Sequence, residues 1–248
     1  MIPKIIHYCW FGKNEIPEKD KKCIASWKKY CPDYQIIEWN EDNYDVSKCE
    51  YMKEAYSKKY WGFVPDYARL DIIYQFGGIY LDTDVELIKS FDSLLENRVY
   101  VGVEKNGKVA LGLGFGAEPN NLIIKKLLDT YEKLNFSNED GSVNLVASPT
   151  YITKTLEEIG YKIGDKDQKI GELQIYPSQY LSPMCFETGR INITDNTYSI
   201  HWYNASWMSI EEKKKWEYFR KINRIFGMKI GMRINYLINL VINLTRKK

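Results

Sequence analysis

What the chain has little of narrows it quickly. Its 248 residues hold five cysteines, Cys9, Cys23, Cys31, Cys49 and Cys185. They are odd in number, with no Cys-x-x-Cys pair and no compact framework, so reduced thiols in a cytosol are the simplest reading. The start, Met1-Ile2-Pro3-Lys4, passes directly into an apolar strand and lacks the charged and apolar regions of a secretory signal. A sequon such as Asn192-Ile193-Thr194 therefore carries no weight. The most apolar stretch, at the C-terminal end, is broken by charges and by Asn235, Asn239 and Asn243, and falls short of the roughly 20 residues of a spanning helix. There is no internal repeat and no low-complexity linker; Asn135 to Gly141 and Gly164 to Gly171 are the expected exposed loops.

What is present suits a soluble enzyme domain. With 44% hydrophobic and 27% charged residues, the chain buries one sizeable core and reads as one elaborated α/β domain over residues 1–217, followed by a basic helical tail over 218–248. Strands are expected at Lys4 to Trp10, Gln35 to Trp39, Gly78 to Leu81 and Arg98 to Val103, with helices near 17–30, 50–60, 66–76 and 119–135. Such alternation favours a mainly parallel sheet, which binds ligands beyond the carboxyl ends of its strands. Trp10 and Asp82 to Asp84 fall at such ends.

The most informative segment is Gly77-Gly78-Ile79-Tyr80-Leu81-Asp82-Thr83-Asp84. It reads as an apolar strand ending in two carboxylates, and because successive strand side chains point to opposite faces, Asp82 and Asp84 share a face and can converge on one cation. Hard oxygen ligands suit Mg²⁺ or Mn²⁺, ions that also bridge phosphate oxygens. Two acidic residues after a strand also occur as solvated or capping groups. Upstream, Asp66 and Arg69 lie on one face of an apolar helix that the glycine pair ends, where they also read as an N-terminal carboxylate and a surface ion pair.

Taken together, Asp66, Arg69, the glycine pair and Asp82-Thr83-Asp84 resemble the sugar-binding region of family 32 glycosyltransferases. The resemblance extends to Ile2 through Gly12, to Ser26-Trp27, Cys31-Pro32-Asp33-Tyr34 and Glu38-Trp39-Asn40, and to the closing element His201-Trp202-Tyr203-Asn204-Ala205-Ser206-Trp207. It implies a GT-A type, Rossmann-like nucleotide-binding fold and a metal-dependent, retaining transfer of a hexose from a nucleotide diphosphate sugar, usually a UDP-sugar, to a saccharide acceptor. Asp82 and Asp84 would be the catalytic carboxylates, with His201 as third metal ligand beside them. Asp66, Arg69, Trp10, Tyr80, Asp82 and Trp207 would bind the donor. His201 reads equally as a core histidine, and most of the 7 Trp and 20 Tyr are packing residues. Gly112, Gly114 and Gly116 are expected in a glycine-rich loop on the acceptor side, and Ser148-Pro149-Thr150 as an ordinary helix cap.

After Glu217 the chain has no acidic residue and eight basic ones, which leaves −6 for the rest of a chain whose net charge is +2. Ile222, Ile225, Phe226, Ile230, Ile234, Leu237, Ile238, Val241 and Ile242 recur at helical spacing among those charges. A basic amphipathic helix of this kind lies on an anionic bilayer or docks on its own core or a second subunit. The expectation is a cytoplasmic enzyme, peripheral on the inner face of the cell membrane, that builds a bacterial surface polysaccharide on a lipid-linked acceptor. Two other classes fit parts of the sequence. A haloacid-dehalogenase-type phosphatase would use Asp82 as nucleophile and Asp84 as acid, and a non-catalytic carbohydrate-binding or membrane-surface protein would need neither.

Overall fold

A computed structural model describes residues 1–204, 208 and 210–245. Ile5–Cys9 forms β1, followed by helix α1 (Glu18–Tyr30), β2 (Gln35–Trp39), α2 (Glu50–Ser57), α3 (Pro65–Phe76) and β3 (Gly78–Tyr80). Next come β4 (Val85–Leu87), β5 (Val99–Gly102), β6 (Phe115–Ala117), α4 (Leu122–Tyr131), α5 (Ser148–Glu157), β7 (Gln168–Ile170), β8 (Leu173–Tyr176), the short α6 (Ser178–Leu181) and β9 (Ser199–His201). Helices α7 (Ile210–Phe226) and α8 (Met228–Thr245) end the described chain. The chain divides into two compact units, residues 1–183 with 193–202, and residues 184–192 with 203–248. The terminal helical region thus begins at Ile210 rather than near 218, and its unit includes an earlier segment.

Seven strands of the first unit form one sheet in the order β2-β1-β3-β6-β5-β8-β7. Strands β1, β2 and β3 pair in parallel, as do β5 and β8, while β6 and β7 run opposite to their neighbours. This is the expected mixed α/β fold with a mostly parallel sheet. The short antiparallel strands were not legible in the periodicity: β6 is Phe-Gly-Ala, and β7 occupies part of the segment expected as an exposed loop. In the other such segment Phe136 is fully buried and packs on Tyr51, Tyr60 and Phe63.

Helix α3 is buried from Asp66 to Ile73, consistent with its apolar run, and Gly77 stops it. Gly77 and Gly78 have φ of +65° and +94°, and a Cβ on either would meet Pro119 or the Ile5 carbonyl at 2.7 Å. Only glycine fits both the backbone conformation and the gap.

His7, fully buried on β1, ties this turn to the sheet. The Trp39 indole N–H donates to His7 Nδ1 at 3.0 Å, so Nε2 carries the ring proton and donates to the Gly77 carbonyl at 3.0 Å. Burial lowers the pKa of His7 from 6.5 to about 4, opposed only in part by the Gly77 contact. A base with a depressed folded pKa contributes stability above its unfolded value, and that contribution is lost as pH falls toward the folded one. From pH 7 to pH 5 the stability difference between the wild type and His7→Asn should shrink by about 2 kcal/mol, measured by denaturant unfolding. Carboxylates that titrate in both proteins cancel in the comparison. A constant difference would mean that His7 titrates in the fold as it does in water.

Candidate active site

The two carboxylates converge, though not through a strand pleat. Strand β3 ends at Tyr80; Leu81 still donates its amide to His7 at 3.0 Å, and the chain then turns, with Val85 N–H on the Asp82 carbonyl at 3.1 Å. Asp82 and Asp84 therefore flank a turn at the same sheet edge where Trp10 leaves β1. Beyond the turn, β4 pairs antiparallel with β9, placing Val85 opposite His201, and Trp202 N–H donates to the Asp84 carbonyl at 3.0 Å. This two-stranded ladder brings in a residue more than a hundred positions away. Helix α1 fixes β4 from behind: Trp27, fully buried, donates its indole N–H to the Val85 carbonyl at 2.7 Å, and Ser26 Oγ accepts from Leu87 N–H at 2.8 Å.

His201 Nε2 lies 3.0 Å from Asp84 Oδ1, and one ligand atom each from Asp82, Asp84 and His201 fall within 4.8 Å of one another. This donor set fits a divalent cation. Two carboxylates suit Mg²⁺ and Mn²⁺ alike, and the imidazole shifts the preference toward the transition metal. Burial pulls the pKa of His201 down, but the Asp84 carboxylate, helped by Asp82 and Glu104, outweighs it and leaves His201 above its ordinary value.

Beneath Asp82 lies a buried polar cluster built around the Arg69–Asp66 ion pair. Arg69 and Asp66 are 5% and 4% exposed and form an ion pair within α3, so the pair is internal rather than a surface contact. Arg69 Nη1 lies 3.7 Å from Asp82 Oδ1, and its guanidinium sits over the Tyr80 ring at 5.9 Å. Arg69 Nη2 also donates to Ser148 Oγ at 2.8 Å, Tyr131 O–H donates to the same oxygen at 2.9 Å, and the Ser148 proton is directed to Asp66. Burial pushes Asp66 up to about 6 against the pull of Arg69, and the nearby Asp82 charge adds to the rise.

Ser148 is thus part of the site, not a helix cap. The residue before it, Ala147, occupies the cap position and no side chain caps α5. The glycine run also belongs here: Gly112 accepts from Asp82 N–H at 3.3 Å, and a Cβ at Gly112 would lie 2.1 Å from Asp82 Oδ2. Any larger residue there would displace the carboxylate. Sequence reasoning missed both. For Gly112 the available signal was a glycine-rich loop able to approach another backbone; Ser148 had none beyond a generic helix start.

Among the expected donor-binding residues, Trp10 is half-buried just past β1 with its indole N–H on the Asn14 carbonyl at 2.7 Å. Tyr80, expected to line the site, is 1% exposed and supports Asp82 from the core through its hydroxyl. Its position inside the sheet leaves no open face for a ligand. Trp207 lies outside the described residues.

Residues 17–100 match the family described as "Glycosyltransferase sugar-binding region containing DXD motif". Asp82-Thr83-Asp84 is the Asp-x-Asp sequence within the matched residues. It is 27% identical over 169 residues to inositol phosphoceramide mannosyltransferase 1 of Schizosaccharomyces pombe (strain 972 / ATCC 24843), covering 61% of this chain and 50% of that protein. To inositol phosphoceramide mannosyltransferase 3 of the same organism it is 34% identical over 116 residues, covering 40% and 29%. The chain spans half or less of the length of these relatives. Among solved structures, the PaToxG glycosyltransferase aligns with a TM-score of 0.51 and 22% identity over 63% of this chain and 69% of that one, a likeness of fold.

Two variants separate the parts of the cluster. Ser148→Ala removes an acceptor from both Arg69 and Tyr131 and should cost about 2 kcal/mol in denaturant unfolding, whereas Tyr131→Phe, which loses one neutral bond, should cost about 1 kcal/mol. Equal costs would mean that Ser148 does not support the buried guanidinium. Mn²⁺ at about a hundred times its Kd should stabilise the wild type by about 2.7 kcal/mol, and Asp84→Ala should lose that gain while folding normally.

Proposed function

We propose that the chain is a metal-dependent hexosyltransferase that takes its sugar from a nucleotide diphosphate donor, with UDP as the carrier and retention of the anomeric configuration, and delivers it to a saccharide acceptor. One observation carries this reading: Asp82, Asp84 and His201 present three ligand atoms within 4.8 Å of one another, Asp82 lies 3.7 Å from the buried Arg69, and the two carboxylates and Arg69 fall within residues that match a sugar-binding region of the DXD type. In the reaction, the bond from the sugar's anomeric carbon to the diphosphate breaks and a bond to an acceptor hydroxyl forms. A divalent cation held by Asp82, Asp84 and His201, with Mn²⁺ favoured over Mg²⁺, would supply Lewis-acid stabilisation of the leaving diphosphate. Arg69, itself paired with the buried Asp66, holds Asp82 in place from the core, so the expected donor contacts of Asp66 and Arg69 act through Asp82. Trp10, at the same edge of the sheet, offers a face for the nucleobase.

The matched yeast relatives carry a name that joins a hexose to a lipid, which supports a hexosyl donor and a lipid-borne acceptor. We extend the reading to a lipid-linked saccharide in bacterial surface polysaccharide synthesis, with the enzyme in the cytoplasm and peripheral on the membrane. Among the described residues no helix is long and apolar enough to cross a membrane. The phosphatase reading gains no support, because the match to the sugar-binding region spans the carboxylates that it would need.

The test is transfer from a panel of nucleotide sugars in the presence of Mn²⁺. Asp84→Ala should reduce transfer by at least about a thousandfold, the scale on which loss of a charge-stabilising group acts. Near-normal transfer by that variant would remove the proposal. In the same assay His201→Ala should raise the Mn²⁺ concentration needed for half-maximal rate; a lowered melting temperature with unchanged metal requirement would make His201 structural.

A further inference from the structure

Among the described residues of the second compact unit, Arg220 and Arg224 make no ion pair. Residues 184–192 form a tight hairpin, with Met184 bridged to Ile191, Cys185 N–H on the Arg190 carbonyl at 2.9 Å and Gly189 N–H on the Cys185 carbonyl at 2.7 Å. Arg224 on α7 donates from Nε to the Thr188 carbonyl at 3.0 Å and from Nη2 to the Gly189 carbonyl at 3.2 Å, while Arg190 Nη2 donates to the Arg224 carbonyl at 2.7 Å. Gly189 has φ +63°, and the place where a side chain would begin lies 2.9 Å from Arg224 Nη2 and 3.0 Å from Arg220 Nη2. Both guanidiniums therefore pack against this one glycine turn, which brings them side by side. Arg220 stacks on Trp216 at 4.2 Å; among the described residues its Nη2 reaches only the Met184 thioether at 3.5 Å and its Nε is buried without a partner. The ion pairs made by arginines among the described residues are those of Arg69 and Arg98. Glu187, the acidic residue of the hairpin, accepts from the Cys185 thiol at 3.2 Å. Two like charges this close, with unused fork donors, are the chemistry of a phosphate site.

The surroundings indicate which phosphate. Helices α7 and α8 pack on each other where Gly231 leaves room for Asn223, and Asn235 donates to Asn223 at 3.2 Å. At the connection between them, next to Arg224, Ile225, Phe226, Met228 and Ile230 are 74%, 52%, 45% and 57% exposed. Exposed apolar side chains beside unpaired arginines, in a stretch with no acidic residue after Glu217, match an anionic lipid surface. We propose that the α7–α8 connection docks on an anionic bilayer, with Arg220 and Arg224, held side by side at Gly189, gripping a lipid headgroup phosphate through their unused N–H donors while Ile225, Phe226 and Met228 enter the headgroup boundary. This deepens the membrane part of the proposed function and does not depend on the transfer chemistry.

The test is co-sedimentation of the full chain with vesicles of phosphatidylcholine alone and of equal parts phosphatidylcholine and phosphatidylglycerol. The wild type should prefer the anionic vesicles, and R220A/R224A should bind them about thirtyfold more weakly. K214A/K215A, which removes the same charge elsewhere on α7, should change binding far less. F226S/M228S, altering exposed side chains only, should keep the melting temperature and weaken binding about tenfold; it decides the matter should R220A/R224A fail to fold. Donor hydrolysis in solution should be unchanged in all of these, so loss of transfer activity and loss of docking are read separately. Equal binding to both vesicle types, no binding at all, or wild-type binding by folded R220A/R224A or F226S/M228S would overturn the proposal. So would inorganic phosphate that raises the melting temperature of the wild type but not of R220A/R224A while vesicle binding is the same for both, since the site would then serve a soluble phosphate.

Discussion

The Arg69 guanidinium, buried in the first unit, sets the terms for everything around it. A charge removed from water costs several kcal/mol unless it is paired and hydrogen-bonded, so four elements converge on it: α3 supplies Asp66, the turn after β3 supplies Asp82, α5 supplies Ser148, and the last residue of α4, Tyr131, secures Ser148. Asp66 neutralises the cation at closest range, which leaves Asp82, at 3.7 Å and one-third exposed, with charge to offer outward. Arg69 thereby aims a carboxylate without fully consuming it. Together with Asp84, the site presents more negative than positive charge on its open side, the condition under which a divalent cation and a diphosphate enter as a pair.

A second constraint closes the site across the length of the chain. The pairing of β4 with β9 is only three residues long, yet it holds Asp84 and His201 in contact through both backbone and side chain. A ladder this short has little independent stability. Its rigidity comes from α1, whose buried Trp27 and Ser26 satisfy β4 backbone groups that an edge strand would leave to water. The local signal for the first helix and the distant signal for the closing histidine are therefore parts of one arrangement.

This explains what was legible in the sequence. Elements with a clear period or a hard stop, such as β1, β2, α3 and its glycine pair, were readable to within a few residues, because burial pattern and positive φ are local demands. Asp82 and Asp84 were readable from their spacing, although the turn, not the pleat, brings them together. His201 was readable only through the family resemblance. Ser148 and Gly112 escaped because their roles exist only in three dimensions. A serine that accepts from an arginine 79 residues earlier looks like any helix start, and a glycine required by a neighbouring carboxylate looks like any loop. The buried Asp66–Arg69 pair looked like an i,i+3 surface contact because charge alone does not report depth.

Charge is also distributed to opposite ends of the task. The chain apart from its last basic stretch carries −6, a sign that attracts a metal ion and repels an anionic bilayer. Salt limits such forces to about 10 Å at ordinary ionic strength, so the overall field neither holds the molecule at a membrane nor keeps it away. Adhesion has to come from contacts made at the surface itself. A single apolar or electrostatic signal gives only marginal, reversible binding, and stable attachment takes two. The α7–α8 connection has both within a few residues of each other, unpaired guanidiniums at Gly189 and exposed apolar side chains from Ile225 to Ile230. Neither feature is explained by the packing of the unit that carries it, since among the described residues of that unit the arginines make no ion pair and the apolar side chains have no cover. A surface that concentrates both uncompensated features at one connection is the arrangement expected of a docking tip, while Asp82 and its neighbour Arg69 lie within the first unit.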